Sequence, residues 1–112
     1  MFQYPGKTAL ITGASSGIGE AFSRELARRK MNLILVARSE DKLNQLADAL
    51  KKEHHIQATV IPADLGIPES AREVFDRVNQ HHLRIDLLIN NAGFATHGLF
   101  AETDLGSQQR EV

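Results

Sequence analysis

The apolar residues of this chain recur in two alternating rhythms. Four short runs, "TALIT" (Thr8 to Thr12), "NLILVA" (Asn32 to Ala37), "ATVIPA" (Ala58 to Ala63) and "DLLIN" (Asp86 to Asn90), are rich in Leu, Ile and Val and show little polar alternation. Runs of this kind are expected of strands covered on both faces. Between them the spacing turns helical. Ile18, Ala21, Phe22 and Leu26 are expected to form the buried face of a first helix, Leu43, Leu46, Ala47 and Leu50 that of a second, and Ala71, Val74, Phe75 and Val78 that of a third. Ser39 is placed to cap the second helix, with Glu40 and Asp41 in its first turn, and Pro68 suits the first position of the third, with Glu69 behind it. In "RRKMN" (Arg28 to Asn32), Lys30 or Met31 stands where a helix ending before a strand often uses glycine. A left-handed residue there costs up to ~1 kcal/mol. The predicted order is βαβαβαβ.

Strands joined by helical crossovers imply a parallel sheet wound right-handed with helices on both faces, so the class is α/β and doubly wound. A chain of 112 residues without an internal repeat or linker is the size of one domain. Reversal of strand order at the first strand puts the fourth beside it, where it is left as an edge. After Gly98, "LFAETDLGSQQREV" offers a cap at Ser107 and then the first turn of a helix. Residues 1–112 are therefore expected to be the amino-terminal part of a single larger domain, truncated after the fourth strand.

Composition narrows the partners. A net charge of -1, from 13 basic and 14 acidic residues mixed along the chain, gives no electrostatic footprint for nucleic acid or for an anionic membrane. Neither is expected as a partner. The absence of cysteine fits a reducing compartment, the opening "MFQYPGK" lacks a signal-peptide layout, and no apolar run approaches the ~20 residues that span a bilayer. A cytoplasmic location is the expectation. His54 with His55, and His81 with His82, stand near the ends of predicted helices. Adjacent positions point about 100° apart, so neither pair makes a metal clip and no metal site is expected.

The chemistry concentrates in "ITGASSGIGEAF" (Ile11 to Phe22), which follows the first strand and opens the first helix. The unpaired N–H groups of a helix N-terminus can hold a phosphate there. Gly13 permits the tight turn, Gly17 a close backbone approach, and Gly19 close packing of helix on sheet, while the hydroxyls of Ser15 and Ser16 offer donors to phosphate oxygens. No Gly-Lys-Ser/Thr follows, which argues against a nucleoside-triphosphate loop. A dinucleotide pyrophosphate is the better ligand.

These residues resemble the short-chain dehydrogenases/reductases. "TGASSGIG" (Thr12 to Gly19) matches the family's TGxxxGxG pattern, "ADL" (Ala63 to Leu65) the segment after its third strand, and "NNAG" (Asn90 to Gly93) the motif after its fourth. The resemblance extends to about Gly98. It implies a Rossmann-type fold and hydride transfer between a nicotinamide cofactor and a small-molecule alcohol or carbonyl. It further implies that Gly13 to Gly19, with Ser15, Ser16, Gly17 and Ile18 among them, cradle the pyrophosphate. Asp64 and Leu65 would contact the adenine, and Asn91, Ala92 and Gly93 would line the adenosine side and brace the sheet.

Cofactor choice falls to "LVARSED" at the end of the second strand. An NAD site places a carboxylate there for the ribose 2′-hydroxyl, whereas an NADP site offers a cation to the 2′-phosphate. Ala37 and Arg38 hold those positions, and arginine can bind phosphate bidentately, so NADP(H) is the expected cofactor and NAD(H) the alternative. The competing reading makes Arg38 a solvated loop cation and leaves selection to Glu40 or Asp41. Phe94 and His97, after "NNAG", either border a substrate cleft or belong to a plain loop.

The family's catalytic asparagine, serine and YxxxK pair have no counterpart. Tyr4 is the single tyrosine, precedes the first strand, and has no lysine four residues on. No catalytic residue is assigned, and the 112-residue chain is expected to be inactive alone. Two readings follow: the cofactor-binding part of an NADP(H)-dependent oxidoreductase, homo-oligomeric in its full-length form, or a dinucleotide-binding module without catalysis, such as the remnant of an interrupted gene.

Overall fold

The computed structural model describes residues 3–91. Its elements run β1 (Thr8–Thr12), α1 (Gly17–Arg28), β2 (Asn32–Ala37), α2 (Glu40–His54), β3 (Ala58–Pro62), α3 (Pro68–Gln80) and β4 (Leu87–Asn90). All strand pairings are parallel and the order across the sheet is β3-β2-β1-β4. The first two crossovers step outward from β1, and the third carries the chain back past it. The order therefore reverses between β1 and β4, where Thr12 stands opposite Asn90. This is the Rossmann-like, doubly wound arrangement that the alternation of periods predicts. The expected helix beginning at Ser107 lies outside the described residues.

The strands' period of two sorts the core into two layers. Ala9, Ile11, Leu33, Leu35, Leu87 and Ile89 turn to the face covered by α1 and α2, and meet Leu26, Leu43, Leu46 and Leu50. Leu10, Ile34, Val36 and Leu88 turn to the other face, where Ala71, Val74 and Val78 of α3 cover them. Leu10 and Ile34 are fully enclosed, and burying a side chain of that size contributes about 1.5–3 kcal/mol.

The buried faces of α2 and α3 are those predicted, with Phe75 half-buried at the margin. That of α1 is not. Ile18, Ala21 and Phe22 are exposed, and the side turned to the sheet consists of Gly19, Ser23, Leu26 and Ala27. Gly19, Ser23 and Ala27 recur every four residues, so small side chains let the helix lie close on β1 and β2. The one polar group among them is satisfied locally, because Ser23 Oγ donates to the Gly19 carbonyl at 2.8 Å. Lys30, His55 and His82, which follow the three helices, all hold positive φ, of 69°, 58° and 55°. Lys30 is thus the left-handed residue in "RRKMN".

Candidate functional site

The carboxyl ends of β1, β2 and β3 open onto a cleft of about 780 Å³, the place where ligands bind in open α/β sheets. Gly13 leaves β1 at φ 63°, a conformation that a side chain makes costly. Its carbonyl oxygen then accepts three bonds: from the Ser16 backbone N–H at 3.1 Å, from Ser16 Oγ at 2.8 Å and from Asn91 Nδ2 at 3.2 Å. Ser16 is the N-cap of α1, its Oγ accepting from the Gly19 N–H at 3.2 Å and from Asn91 Nδ2 at 2.8 Å. A hydroxyl has one proton and two lone pairs. All three are in use, so the proton expected to reach a phosphate from Ser16 is held inside the loop, and among the two serines only Ser15 keeps a hydroxyl without a described partner.

Two further bonds fix the loop to the sheet. The Ala14 N–H donates to the Val36 carbonyl of β2 at 3.1 Å, and Thr12 Oγ1 donates to Asn90 Oδ1 of β4 at 3.0 Å. Among the described residues, no acceptor meets the N–H groups of Gly17 and Ile18 at the start of α1. Unpaired donors at a helix N-terminus favour an anion.

The other walls of the cleft come from Ala37, Arg38, Ser39 and Lys42 on one side and Ala63, Asp64, Leu65 and Gly66 on the other. Arg38 and Lys42 are exposed and have no acidic partner among the described residues. Asp64 is held in a turn, its Oδ1 accepting from the Gly66 N–H at 2.9 Å. Leu65 sends its side chain into the core beneath α3, so its backbone is what it can offer the cleft.

The match to known proteins agrees with this geometry. The profile of the family described as short chain dehydrogenase covers residues 7–112. The chain belongs to that family. Among curated relatives, oxidoreductase UcpA of Salmonella typhimurium is 41% identical over 111 residues, which is 99% of this chain and 41% of the relative. The very-long-chain 3-oxoacyl-CoA reductase of Anas platyrhynchos is 38% identical over 92 residues, 80% of this chain and 28% of the relative. Among solved structures, L-sorbose reductase from Gluconobacter frateurii, complexed with NADPH and L-sorbose, superposes with a TM-score of 0.74 at 37% identity, over 80% of this chain and 34% of that one. This short-chain dehydrogenase chain thus spans well under half the length of the relatives it matches.

Gly13, Ser15, Ser16, Ala37, Arg38, Asp64 and Leu65, all singled out in the sequence, share the cleft. Gly17 and Ile18 are exposed beside it, Gly19 is buried under the loop, and Asn91 braces the loop from the end of β4. Ala92, Gly93, Phe94 and His97 lie outside the described residues. Lys42 and Gly66 line the cleft without having been singled out, and so do Ser39 and Ala63, read in the sequence only as a helix cap and as part of a motif; the Ser39 hydroxyl makes no capping bond. Lys42 carried a readable signal, since a lysine in the first turn of a helix runs against the helix dipole. Tyr4 packs against the α1–α2 side of the core with the Arg29 guanidinium 4.9 Å from its ring centre, at the end of β1 remote from the cleft. Among the described residues, no helix is long and apolar enough to cross a membrane.

Proposed function

We propose that this chain is the amino-terminal, cofactor-binding part of a single larger domain: an NADP(H)-dependent oxidoreductase that interconverts small-molecule alcohols and carbonyls. The residues suit a dinucleotide. Among the described residues, the α1 terminus offers N–H donors without acceptors, a Cβ on Gly17 would meet nothing within 4 Å outside its own helix turn, and the far wall carries Arg38 and Lys42 without an acidic partner. The bound nicotinamide would supply the hydride acceptor or donor. The chain's part is to bind and orient it: the Gly13–Gly19 loop holds the pyrophosphate, Asp64 and the Leu65 backbone border the adenine, and Asn91 keeps the loop in shape. Ala92 and Gly93 are assigned to the adenosine side on the family motif alone.

The observation that carries the choice of NADP(H) is Arg38, exposed in the cleft directly after β2 and preceded by Ala37 rather than by a carboxylate. A guanidinium there meets a 2′-phosphate with charge-assisted hydrogen bonds, whereas an NAD site needs an acceptor for the 2′-hydroxyl. The test is NADPH and NADH affinity of the chain and of Arg38→Asp, measured by fluorescence titration. NADPH is expected to bind more tightly, and the variant to lose that preference. An unchanged preference in Arg38→Asp overturns the assignment. Proton transfer to a carbonyl needs an acid that Tyr4, at the opposite end of the sheet, does not supply, so the 112 residues are expected to bind without turnover.

A further inference from the structure

We propose that Asp86 is a positioning residue for the glycine loop: it sets the register of β4 on β1 that carries Asn90 and Asn91 to Thr12, Gly13 and Ser16. Its effect on nucleotide affinity rests on the dinucleotide reading of that loop; the register does not. Asp86 opens the run "DLLIN" but stands just outside β4, at the end of the sheet opposite the cleft. It is nevertheless buried, at 9% exposure. Its backbone N–H donates to the Thr8 carbonyl at 2.8 Å, and its Oδ2 accepts from the Thr8 N–H at 3.0 Å. One residue thus holds both backbone polar groups of Thr8, 78 positions away in the chain. The other oxygen, Oδ1, meets Nε of the exposed Arg84 at 3.1 Å, so the carboxylate is engaged on both sides.

The apolar part of this pairing cannot choose a register. Between Asp86 and Asn90 lie Leu87, Leu88 and Ile89, opposite Ala9, Leu10 and Ile11. A slipped strand is costly in most sheets because it turns apolar side chains to water. Here both faces are covered, with Leu87 and Ile89 in the layer of α1 and α2 and Leu88 in that of α3. A slip would exchange one buried aliphatic side chain for another. The polar ends are what differ. Thr8 is held by Asp86 at one end, and Thr12 Oγ1 donates to Asn90 Oδ1 at 3.0 Å at the other. A slip of one residue moves β4 by about 3.3 Å along β1. That breaks the bonds to Thr8 and takes Asn91 Nδ2 out of hydrogen-bond reach of the Gly13 carbonyl and Ser16 Oγ, which it meets at 3.2 and 2.8 Å. The clamp at the start of β4 therefore decides where the Asn91 amide stands, about 16 Å further along the strand.

Nuclear magnetic resonance of the 112-residue chain reads the register directly, from contacts of the Asn91 side-chain amide with Ser16 and of Thr12 with Asn90. Fluorescence titration with NADPH, at a temperature where circular dichroism shows each chain folded, reads the consequence. Asp86→Ala is expected to lose those contacts and to bind NADPH about tenfold more weakly, the scale of one lost hydrogen bond. Asp86→Asn keeps an oxygen for the Thr8 N–H and should retain both, while Arg84→Gln, which removes only the exposed cation, should change neither. In an Asn91→Ala background, Asp86→Ala should cost no further affinity. A folded Asp86→Ala chain that is less stable but keeps the Asn91–Ser16 contact and the parent affinity overturns the proposal, as do additive losses in the double variant. If Asp86→Ala does not fold, Asp86→Asn decides: a folded chain that keeps the Asn91–Ser16 contact upholds the role of Asp86, and one that has lost it overturns that role. Failure of the unsubstituted chain to bind NADPH overturns the dinucleotide reading alone, and the resonances still decide the register.

Discussion

Alanine at Gly19 and at Gly17 should separate two tasks within one loop. At Gly19 a Cβ would overlap the Gly13 carbonyl oxygen and stand 2.8 Å from the Gly13 carbonyl carbon and 2.9 Å from Ala14 Cα. All three are backbone atoms, so no side chain can swing away, and the loop itself must move. The carbonyl that moves is the one accepting from the Ser16 N–H, Ser16 Oγ and Asn91 Nδ2. Loss of about two such bonds at about 1 kcal/mol each, with some backbone strain, puts Gly19→Ala at about 2–4 kcal/mol destabilising. For a domain near this size that lowers the melting temperature by about 10–20 °C. At Gly17 a Cβ meets nothing, and glycine at a helical position is itself unfavourable, so Gly17→Ala should be neutral to about 1 kcal/mol stabilising. A methyl group where the pyrophosphate is proposed to pass should instead lower NADPH affinity about tenfold or more. Urea unfolding followed by circular dichroism gives the first quantity and fluorescence titration the second. A Gly19→Ala chain within about 0.5 kcal/mol of the parent would refute the packing argument, given that ordinary surface changes fall in that range.

His55 closes α2 at φ 58° while its N–H donates to the Lys51 carbonyl at 2.9 Å. His55→Gly keeps that bond and relieves the left-handed strain, so the urea midpoint should rise by the equivalent of about 0.5–1 kcal/mol; a fall would show that the imidazole contributes more than the strain removes. Hydrogen bonds from Arg28 and then Arg29 hold the Glu25 carboxyl down at about 2, from an ordinary value of 4.5. A depressed folded value means that the stabilisation is complete above the unfolded carboxylate value and disappears as pH falls toward the folded one. The difference between the parent chain and Glu25→Gln should therefore shrink from about pH 4.5 downward and vanish near about pH 2, and it should be small and salt-sensitive because the group is exposed. A difference that grows on acidification contradicts the sign.

Most of the frame was legible because its signals are strong. Dense apolar runs place β1 and β2 at the residues predicted, and β3 and β4 within one residue. The need for a close approach at Gly19 and a left-handed residue at Lys30 or Met31 also follow from local rules, although the atoms nearest Gly19 belong to Gly13 and Ala14 of the loop and only the structure selects Lys30 of the two. The face of α1 was misread because periodicity weighs a large apolar residue above a small one. Ile18 and Phe22 set the hydrophobic stripe in the sequence, yet close approach to the sheet selects Gly19, Ser23 and Ala27, whose merit is lack of bulk. Ser16 looked like a phosphate donor because the sequence shows the hydroxyl but not its direction: its proton turns back to the Gly13 carbonyl three residues earlier, and Asn91, distant in sequence, takes one of its lone pairs. Lys42 needed the turn from β2 into α2 to bring it to the same cleft as Arg38.

Asn91 joins the two ends of the described chain, reaching Ser16 and Gly13 across 75 and 78 residues. The glycine loop has its final shape only once β4 has docked on β1, the most distant strand pairing among the described residues. Nucleotide affinity is thereby a readout of completed folding rather than of a local motif, and a peptide of the glycine loop and α1 alone should bind poorly. The converse follows by mass action: a ligand that grips the loop also holds β4 in register, and stabilises the sheet by about RT ln(1 + [L]/Kd). A ligand of the loop and the fourth strand would be thermodynamically linked through the side-chain amides of Asn90 and Asn91.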